Sequence, residues 1–253
     1  MTAKKQVTIC GVRIDNVTME GTLDAIECLI KSRQPAYVVT PNADHMVKLQ
    51  KDEEFRRIYE GASLVLADGM PILWAGLFLG TPLAEKVSGS DLVPKLCRRA
   101  AEKNFTLFFL GGREGAAARA KEVLEKKYPG LCVVGTYSPP VGFEKDAAES
   151  RKIEEMIRAA APDVLLVGLG APKQEKWISK NHQALAVPVS VGVGVTFEFI
   201  AGMVKRAPRW MQATGLEWSW RLLMEPKRLW KRYLVDDTAF FWFVFRQKLS
   251  RRK

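Results

Sequence analysis

The chain of 253 residues is long enough to bury a sizeable apolar core without disulfides or metal ions. Its four cysteines are scattered without a CxxC pair, and it has only two histidines, which argues against a structural zinc site and favours reduced thiols. No run reaches the roughly 20 apolar residues that cross a bilayer, and no apolar segment of a signal peptide precedes the first predicted strand. These features predict a soluble or peripheral protein.

The formal net charge of +11 is concentrated towards the C-terminus. From Met203 onward, 13 lysines and arginines stand against four acidic residues, and five of the seven tryptophans lie in the same stretch. So abrupt a change of composition predicts a boundary between domains. We therefore expect a core over residues 1–202 and a basic, aromatic-rich appendage over residues 203–253.

The first predicted elements are two short strands over 7–9 and 13–16, followed by a helix over 19–31 and a strand over 36–40. A helix is predicted after the strand over 36–40, because the apolar residues Met46, Leu49 and Phe55 are spaced as on one helix face.

Thr40 and Asn42 stand at the end of the strand over 36–40. Open parallel sheets bind ligands beyond the C-terminal ends of their strands, so both are candidate substrate-binding residues. The alternative is structural, because Asn42 is also a good helix N-cap and Thr40 an ordinary strand residue. The sequence pattern leaves both interpretations open.

Asp68 is the candidate general base. It follows the apolar run over 63–66, a predicted strand, and Gly69 lets the backbone turn sharply after it. A carboxylate at the C-terminal end of a parallel strand can face a bound substrate. Alternatively, Asp68 caps a helix that starts at Met70, with Pro71 in its first turn. Pattern alone favours neither interpretation.

An apolar segment over 72–79 is predicted to be a helix that closes at Gly80. It is too short to span a membrane, although it could lie against one. Beyond it, Lys86 precedes a helix that Ser90 or Asp91 could cap. A lysine near a strand end can bind a phosphate, but spacing alone favours a solvated position.

The second half of the core alternates apolar strands with helices. Strands are predicted over 106–110, 131–135, 163–167 and 187–191. An alanine-rich helix that ends at Tyr128 is predicted after the first of these strands, and another helix over 144–161. Near-continuous apolar strands that alternate with helices are typical of parallel sheets. We therefore predict an α/β fold with a doubly wound, mostly parallel, Rossmann-like sheet, helices on both faces and a C-terminal helical appendage.

Two glycine-rich turns follow strands of this half, one at Gly111 and Gly112 and one at Gly170. A strand, a glycine turn and a helix N-terminus form an anion site, and with Lys173 and Gln174 they suit a nucleoside diphosphate. Neither turn has the GxGxxG spacing, which argues against a dinucleotide-dependent oxidoreductase or epimerase.

The chain also lacks the Asp-x-Asp pair by which many sugar-nucleotide enzymes hold a divalent metal. We therefore expect neither a metal nor another cofactor. Arginine, lysine and helix dipoles would then balance the charge on a leaving diphosphate.

Several stretches together resemble the WecG/TagA/CpsF family of bacterial glycosyltransferases, with similarity over nearly the whole length. The matching stretches are Thr40-Pro41-Asn42, Ala67-Asp68-Gly69, Gly89-Ser90-Asp91-Leu92, Phe109-Leu110-Gly111-Gly112, Val167 to Glu175, and Lys205-Arg206-Ala207-Pro208 leading to Gly215-Leu216-Glu217-Trp218. Each alone is a weak signal, but their order and spacing are specific.

The resemblance implies a function. Members of the family transfer a sugar, with inversion, from a UDP-sugar onto an undecaprenyl-diphosphate-linked sugar in the assembly of teichoic acid, common antigen, capsule or exopolysaccharide. N-acetylmannosamine is the expected donor sugar here, with glucose and N-acetylmannosaminuronic acid as alternatives that relatives use.

The resemblance also implies roles for single residues. Asp68 matches the proposed base that takes the proton from the acceptor hydroxyl. Thr40, the second candidate catalytic residue, and Asn42 match positions that hold acceptor and donor near that base, and Gln174 matches a pocket glutamine. Lys86 matches a position where arginine is usual, and lysine cannot make the same bidentate contact with a diphosphate.

In the appendage, Arg221 and Arg228 match arginines that reach the diphosphates in the family, and Lys231 replaces a third. The family implies that this segment docks the enzyme on the cytoplasmic face of the cell membrane and closes over the active site. Basic residues interleaved with Trp and Phe suit an interface with anionic lipid. The alternative is the ordinary core of a small helical domain, which we favour for Trp210 and Trp218.

A different class of protein is also compatible with the charge. A net charge of +11 with an aromatic and basic tail suits a non-catalytic protein that binds single-stranded nucleic acid. The uninterrupted cluster of Phe and Trp in the tail favours lipid over nucleic acid. Exposed apolar patches could also be subunit contacts of a homo-oligomer.

Overall fold

The computed structural model describes residues 6–250. The strands are β1 (Gln6–Ile9), β2 (Val12–Asp15), β3 (Ala36–Val39), β4 (Leu64–Val65), β5 (Thr106–Gly111), β6 (Cys132–Tyr137), β7 (Val164–Gly168) and β8 (Val189–Gly192). The helices up to β8 are α1 (Met19–Ser32), α2 (Ala43–Lys48), α3 (Glu53–Glu60), α4 (Met70–Phe78), α5 (Gly89–Lys103), α6 (Ala116–Lys127), α7 (Ala147–Ala160) and α8 (Lys173–Leu185). After β8 follow α9 (Thr196–Ile200), α10 (Arg209–Thr214), α11 (Glu217–Met224), α12 (Pro226–Lys231) and α13 (Thr238–Ser250). A 3-10 turn covers Phe143–Lys145 and a π-helical segment covers Arg232–Asp236.

Six strands form an all-parallel sheet in the order β4-β3-β8-β7-β5-β6, and β1 and β2 form a separate antiparallel pair. Every residue of β3, β7 and β8 is buried. Strands covered on both faces read as continuous apolar runs, which is why the sequence identifies them. The predicted α/β fold, with helices flanking a parallel sheet and a helical C-terminal region, is confirmed.

The prediction of a single helix after Asn42 is wrong, because the chain forms two helices there, α2 and α3. The side chain of Asp52 accepts a hydrogen bond of 2.9 Å from the amide of Phe55 and so starts a second helix. The helix predicted over 144–161 begins only at Ala147, because Asp146 caps it.

The chain divides into two compact units. The first contains Met1–Met19, Thr40–Ser88 and Lys205–Lys253, and the second contains Glu20–Val39 and Gly89–Val204. In the first unit, α13 packs against α2 and α4 and buries Phe240 and Val244. In the second unit, the core comprises the parallel strands β3, β5, β7 and β8 with the helices that cover them. The expected boundary near residue 202 stays a prediction.

Candidate active site

Two backbone hydrogen bonds join the strand ends of the first unit. The amide of Asp68 donates to the carbonyl of Pro41 at 3.0 Å, and the amide of Val87 donates to the carbonyl of Ala67 at 2.8 Å. Three chain segments therefore run side by side at this place. These segments carry four of the predicted site residues, namely Thr40, Asn42, Asp68 and Lys86.

Asp68 is half-buried and follows β4 after two buried residues. Helix α4 begins at Met70, the start given by the alternative interpretation and two residues before the helix predicted over 72–79. Its N-cap is Gly69, without a side-chain hydrogen bond at the cap. Gly69 has a φ of +96°, a conformation that side chains disfavour, so glycine is required for the turn. The cap of α4 is therefore Gly69 and not Asp68.

Asp15 fixes the strand that leads to Asp68, and sequence reasoning missed it. Its Oδ2 accepts a hydrogen bond of 2.8 Å from the amide of Val65, and its Oδ1 accepts one of 3.0 Å from the side chain of Gln6. Asp15 is 3% exposed. The only sequence signal was an acidic residue at the end of a short strand in an apolar context, which is too common to identify such a contact.

Asn42 caps α2, as its alternative interpretation predicted. Its side-chain oxygen accepts a hydrogen bond of 3.2 Å from the amide of His45, and its own amide donates to Nδ1 of His45 at 3.2 Å. This reciprocal capping box holds the Asn42 side chain in one orientation. The cap does not use up the side chain, because its NH₂ group is not part of the capping box. A substrate contact of Asn42 stays a prediction.

The three predicted cations of the tail differ in their surroundings. Arg228 pairs with Glu225, and Lys231 is exposed. Arg221 is half-buried and forms no salt bridge with any other residue that the structure describes. A half-buried guanidinium without a carboxylate suits an anionic ligand.

Tyr233 lies among these arginines. Burial raises the pKa of its hydroxyl, and the positive charges of Arg221, Arg232 and Arg228 counteract the rise. Trp218 packs edge-on against its ring, with 6.1 Å between centroids. A phenol beside several guanidinium groups is a neutral hydrogen-bond donor next to positive charge, which also favours an anion.

In the second unit, the glycine turns after β5 and β7 touch each other. A Cβ at Gly111 would lie 2.6 Å from the carbonyl oxygen of Gly168, and the amide of Gly112 donates to the same oxygen at 2.7 Å. A side chain cannot be accommodated at Gly111. Around Gly170, by contrast, a Cβ would have no described residue within 4 Å apart from its chain neighbours, which leaves space for a ligand at its backbone.

Lys173 and Gln174 begin α8 in the same unit, and both have protein partners. The Nζ of Lys173 lies 3.2 Å from Oε2 of Glu144, so a phosphate would have to compete with this carboxylate. Gln174 is buried, donates to Glu175 at 2.8 Å and accepts from the amide of Gly194 at 3.0 Å. It therefore braces the loop after β8, and its predicted substrate contact stays a prediction.

Within residues 6–250 no cluster of three His, Cys, Asp or Glu side chains could hold a metal ion. Over the same residues, no helix combines the length and apolarity that a membrane span requires.

Comparison with known proteins identifies the family. Residues 7–253 match the model of the glycosyl transferase WecG/TagA/CpsF family. An N-acetylglucosaminyldiphosphoundecaprenol N-acetyl-beta-D-mannosaminyltransferase of Bacillus spizizenii strain W23 is 33% identical over 199 residues, which cover 79% of this chain and 75% of the relative. The enzyme of the same name from Staphylococcus aureus strain MW2 is 30% identical over 226 residues, 88% of this chain and 87% of the relative. The chain belongs to the WecG/TagA/CpsF family.

As a WecG/TagA/CpsF protein, the chain is a glycosyltransferase, which confirms the predicted enzyme class. The family match extends from the first hairpin through the C-terminal helices, so it includes the tail and not only the parallel sheet. The non-catalytic nucleic-acid-binding alternative is therefore set aside.

This WecG/TagA/CpsF enzyme exposes an apolar face on α4 and α13. We call it the aromatic surface; it comprises Trp74, Leu77, Phe78, Phe241, Trp242, Phe245 and Leu249, each at least 42% exposed. The two helices contact each other, and Nζ of Lys248 lies 5.6 Å from the ring centre of Phe78. The sequence predicted aromatic residues of the tail at an interface and a segment over 72–79 that could lie against a membrane, and the structure brings the two helices into contact.

The expected core positions of Trp210 and Trp218 are wrong. Trp210 is 61% exposed and Trp218 is 38% exposed. Helix α10 has only six residues and buries Met211 instead, so Trp210 faces outward. Short helices bury one narrow stripe, and composition does not show which residue occupies it.

Proposed function

We propose that the enzyme transfers N-acetylmannosamine from UDP-N-acetylmannosamine to the N-acetylglucosamine of an undecaprenyl-diphosphate-linked acceptor, with inversion, in the assembly of teichoic acid or another cell-surface polysaccharide. The observation that carries this proposal is the similarity to two enzymes named for that transfer, over 79% and 88% of the chain. Glucose and N-acetylmannosaminuronic acid are the alternative donor sugars.

In the proposed reaction, Asp68 is the general base. Its carboxylate takes the proton from the acceptor hydroxyl, whose oxygen attacks the anomeric carbon of the donor from the face opposite to UDP. The new glycosidic bond forms as the bond to the diphosphate breaks, and UDP leaves with both electrons. The half-buried position of Asp68 beside the segment of Thr40 and Asn42 supports this role, because those polar side chains can orient the two sugars.

Side chains and backbone amides of the protein balance the charges in this proposal, without a metal or another cofactor. The turns at Gly111, Gly112 and Gly170, with Lys173 and Gln174, would bind the donor diphosphate. Arg221, Arg228, Lys231 and Lys86 would bind the diphosphate of the lipid acceptor. The lack of a salt bridge at Arg221 among the described residues supports this assignment.

We also propose that the enzyme works at the cytoplasmic face of the membrane as a peripheral protein. The aromatic surface suits the headgroup region of a bilayer, and Lys248 beside Phe78 places a cation where anionic lipid would lie. A polyprenyl acceptor is confined to the membrane, so such docking brings the site to its substrate.

Turnover is tested with purified enzyme, an N-acetylglucosamine diphospholipid and a panel of the three UDP-sugars, with release of UDP as the signal. We expect release only when donor and acceptor are both present, fastest with UDP-N-acetylmannosamine, and a lipid product heavier by one N-acetylhexosamine. Absence of turnover across the panel would refute the proposed function. A faster reaction with another donor would correct the sugar alone.

Membrane docking is tested by sedimentation with liposomes that contain phosphatidylglycerol. Phe78→Ser and Trp242→Ser should each reduce the bound fraction several-fold, because each removes an exposed ring from the aromatic surface. Val141→Ser is the matched control, since Val141 is fully exposed in the second unit and lies outside this surface. Equal binding of all three variants and the wild type would reject the assigned surface.

A further inference from the structure

Asp44 connects the helix that starts at Asn42 with the C-terminal helices. It lies in the first turn of α2, and its side chain is only 8% exposed. Its Oδ2 lies 2.8 Å from Nζ of Lys48 and 3.3 Å from Nη2 of Arg232. Because Arg232 is the first residue of the π-helical segment, one buried carboxylate joins α2 to the tail.

Arg232 in turn belongs to the group of cations around Tyr233. Its guanidinium carbon lies 5.5 Å from the ring centre of Tyr233. Arg228 lies on α12, which contacts the π-helical segment, and Arg221 lies on α11, which contacts α12. The contact between Asp44 and Arg232 therefore links α2 to the arginines that the proposed function assigns to the lipid diphosphate.

The ionic contacts around Arg232 are incompletely satisfied. Its Nε is buried and lies 3.9 Å from Oδ2 of Asp237, too far for a hydrogen bond. Neither this Nε nor Oδ1 of Asp237 has a hydrogen-bond partner among residues 6–250. Buried polar atoms without partners cost stability, and π-helical segments occur frequently at functional sites. Apolar residues in place of a buried ion pair are often equally stable or more stable, so the retained charges here call for an explanation other than stability.

We propose that Asp44 is a positioning residue for the acceptor site. Its ion pair with Arg232 holds the π-helical segment against α2, two residues after Asn42, and so sets the position of Arg221 and Arg228 on the preceding helices α11 and α12. Asp44 touches neither sugar nor diphosphate. It sets the place of the cations that do, so its loss weakens binding of the lipid acceptor and leaves the donor site intact. This inference rests on the proposed function for the role of the arginines.

Lys48 provides a matched control. Its ammonium group binds the same carboxylate oxygen as Arg232, but it lies on α2 itself, four residues after Asp44. Lys48→Ala therefore removes an ion pair of Asp44 without breaking the connection to the tail. If Asp44 had only a general structural role, losing its ion pair with Lys48 and losing its ion pair with Arg232 should have similar effects. A positioning role predicts an effect only when the contact with Arg232 is lost.

The first experiment is hydrogen–deuterium exchange of the full-length protein without substrates. Asp44→Asn and Arg232→Gln should each raise exchange in the segment 217–236 about tenfold, which corresponds to about 1.4 kcal/mol. Lys48→Ala should leave that segment unchanged. The double variant Asp44→Asn/Arg232→Gln should resemble either single variant, because both remove the same contact.

The second experiment measures KM separately for the lipid acceptor and the UDP-sugar. Asp44→Asn should raise the acceptor KM about tenfold and leave the donor KM within about twofold, and Asp44→Glu should restore part of the loss. Unchanged exchange in 217–236, or a uniform rise across the whole chain with an unchanged acceptor KM, overturns the proposal. If Asp44→Asn fails to fold, Arg232→Gln decides the same question. If the wild-type enzyme showed no turnover, the proposed function would be refuted. The hydrogen–deuterium exchange experiment would still decide whether the contact between Asp44 and Arg232 orders the segment 217–236.

Discussion

The amide of Asp68 donates a hydrogen bond of 3.0 Å to the carbonyl of Pro41, the residue directly before Asn42. A backbone hydrogen bond thus joins the two strand ends. A side-chain substitution at Asp68 should leave this backbone contact in place. The proposed base can therefore be tested by changing its side chain alone.

Asp68→Asn should reduce kcat by about 10²–10⁴, because an amide cannot accept the proton of the acceptor hydroxyl. The affinity for UDP-sugar should stay within about threefold of the wild type, since the backbone contact persists. UDP release gives kcat, and calorimetry gives donor affinity. Glu53→Gln, at an exposed acid, is the control for loss of a charge. A near-normal rate in Asp68→Asn would reject the assigned role.

Asp15→Asn should destabilise the enzyme by about 1–3 kcal/mol. The NH₂ group of the new asparagine would face one of the two present donors, the amide of Val65 or the side chain of Gln6, and that donor would lose its acceptor. Urea unfolding measures the change. Asp24→Asn removes an exposed acid that pairs with Arg99 and should cost less than about 1 kcal/mol. Equal losses in the two variants would mean that Asp15 does not specifically fix β4.

Asp237 should make stability depend on pH. Burial raises the pKa of its carboxyl group from 3.8 to about 6, and nearby Arg232 only partly opposes the rise. The folded state therefore binds the proton of Asp237 more tightly than the unfolded state does. The resulting contribution to the free energy of unfolding is fully present below about pH 4 and is lost as the pH rises through 6.

Asp237→Asn should consequently be more stable than the wild type at pH 8, by about 1–2 kcal/mol after solvent screening, and similar to it below pH 4. Thermal unfolding across this pH range measures the difference. Asp236→Asn, at the exposed neighbouring acid, should follow the wild-type profile. A pH-independent difference would contradict the assignment to Asp237.

The four cysteines should divide into two classes. Burial raises the pKa of both Cys10 and Cys97 to about 12, whereas Cys28 and Cys132 are exposed. Because the thiolate is the reactive form, a thiol reagent at pH 8 should label two cysteines rapidly in the folded enzyme and all four in urea. Fast labelling of Cys97 in the folded state would contradict its burial.

The residues at the C-terminal end of each parallel strand could be predicted from local sequence patterns. Apolar runs that stop at a glycine or a polar residue identified Asp68, Gly111 and Gly170, since a buried strand must end where the chain reaches a turn. The N-cap at Asn42 was likewise readable, because the cap and its helix are adjacent in the chain. The tail was visible from composition alone.

The contacts of Asp15 with Val65 and of Asp44 with Arg232 were not readable in this way. Each joins residues far apart in sequence, and a lone Asp or Arg looks the same whether it is solvated or buried against a distant partner. The sequence by itself determined the parallel α/β fold, the strand-end candidates and the basic tail, because these depend on periodicity and composition. Only the tertiary structure decided which carboxylates contact β4 and the π-helical segment, because their partners come together through folding.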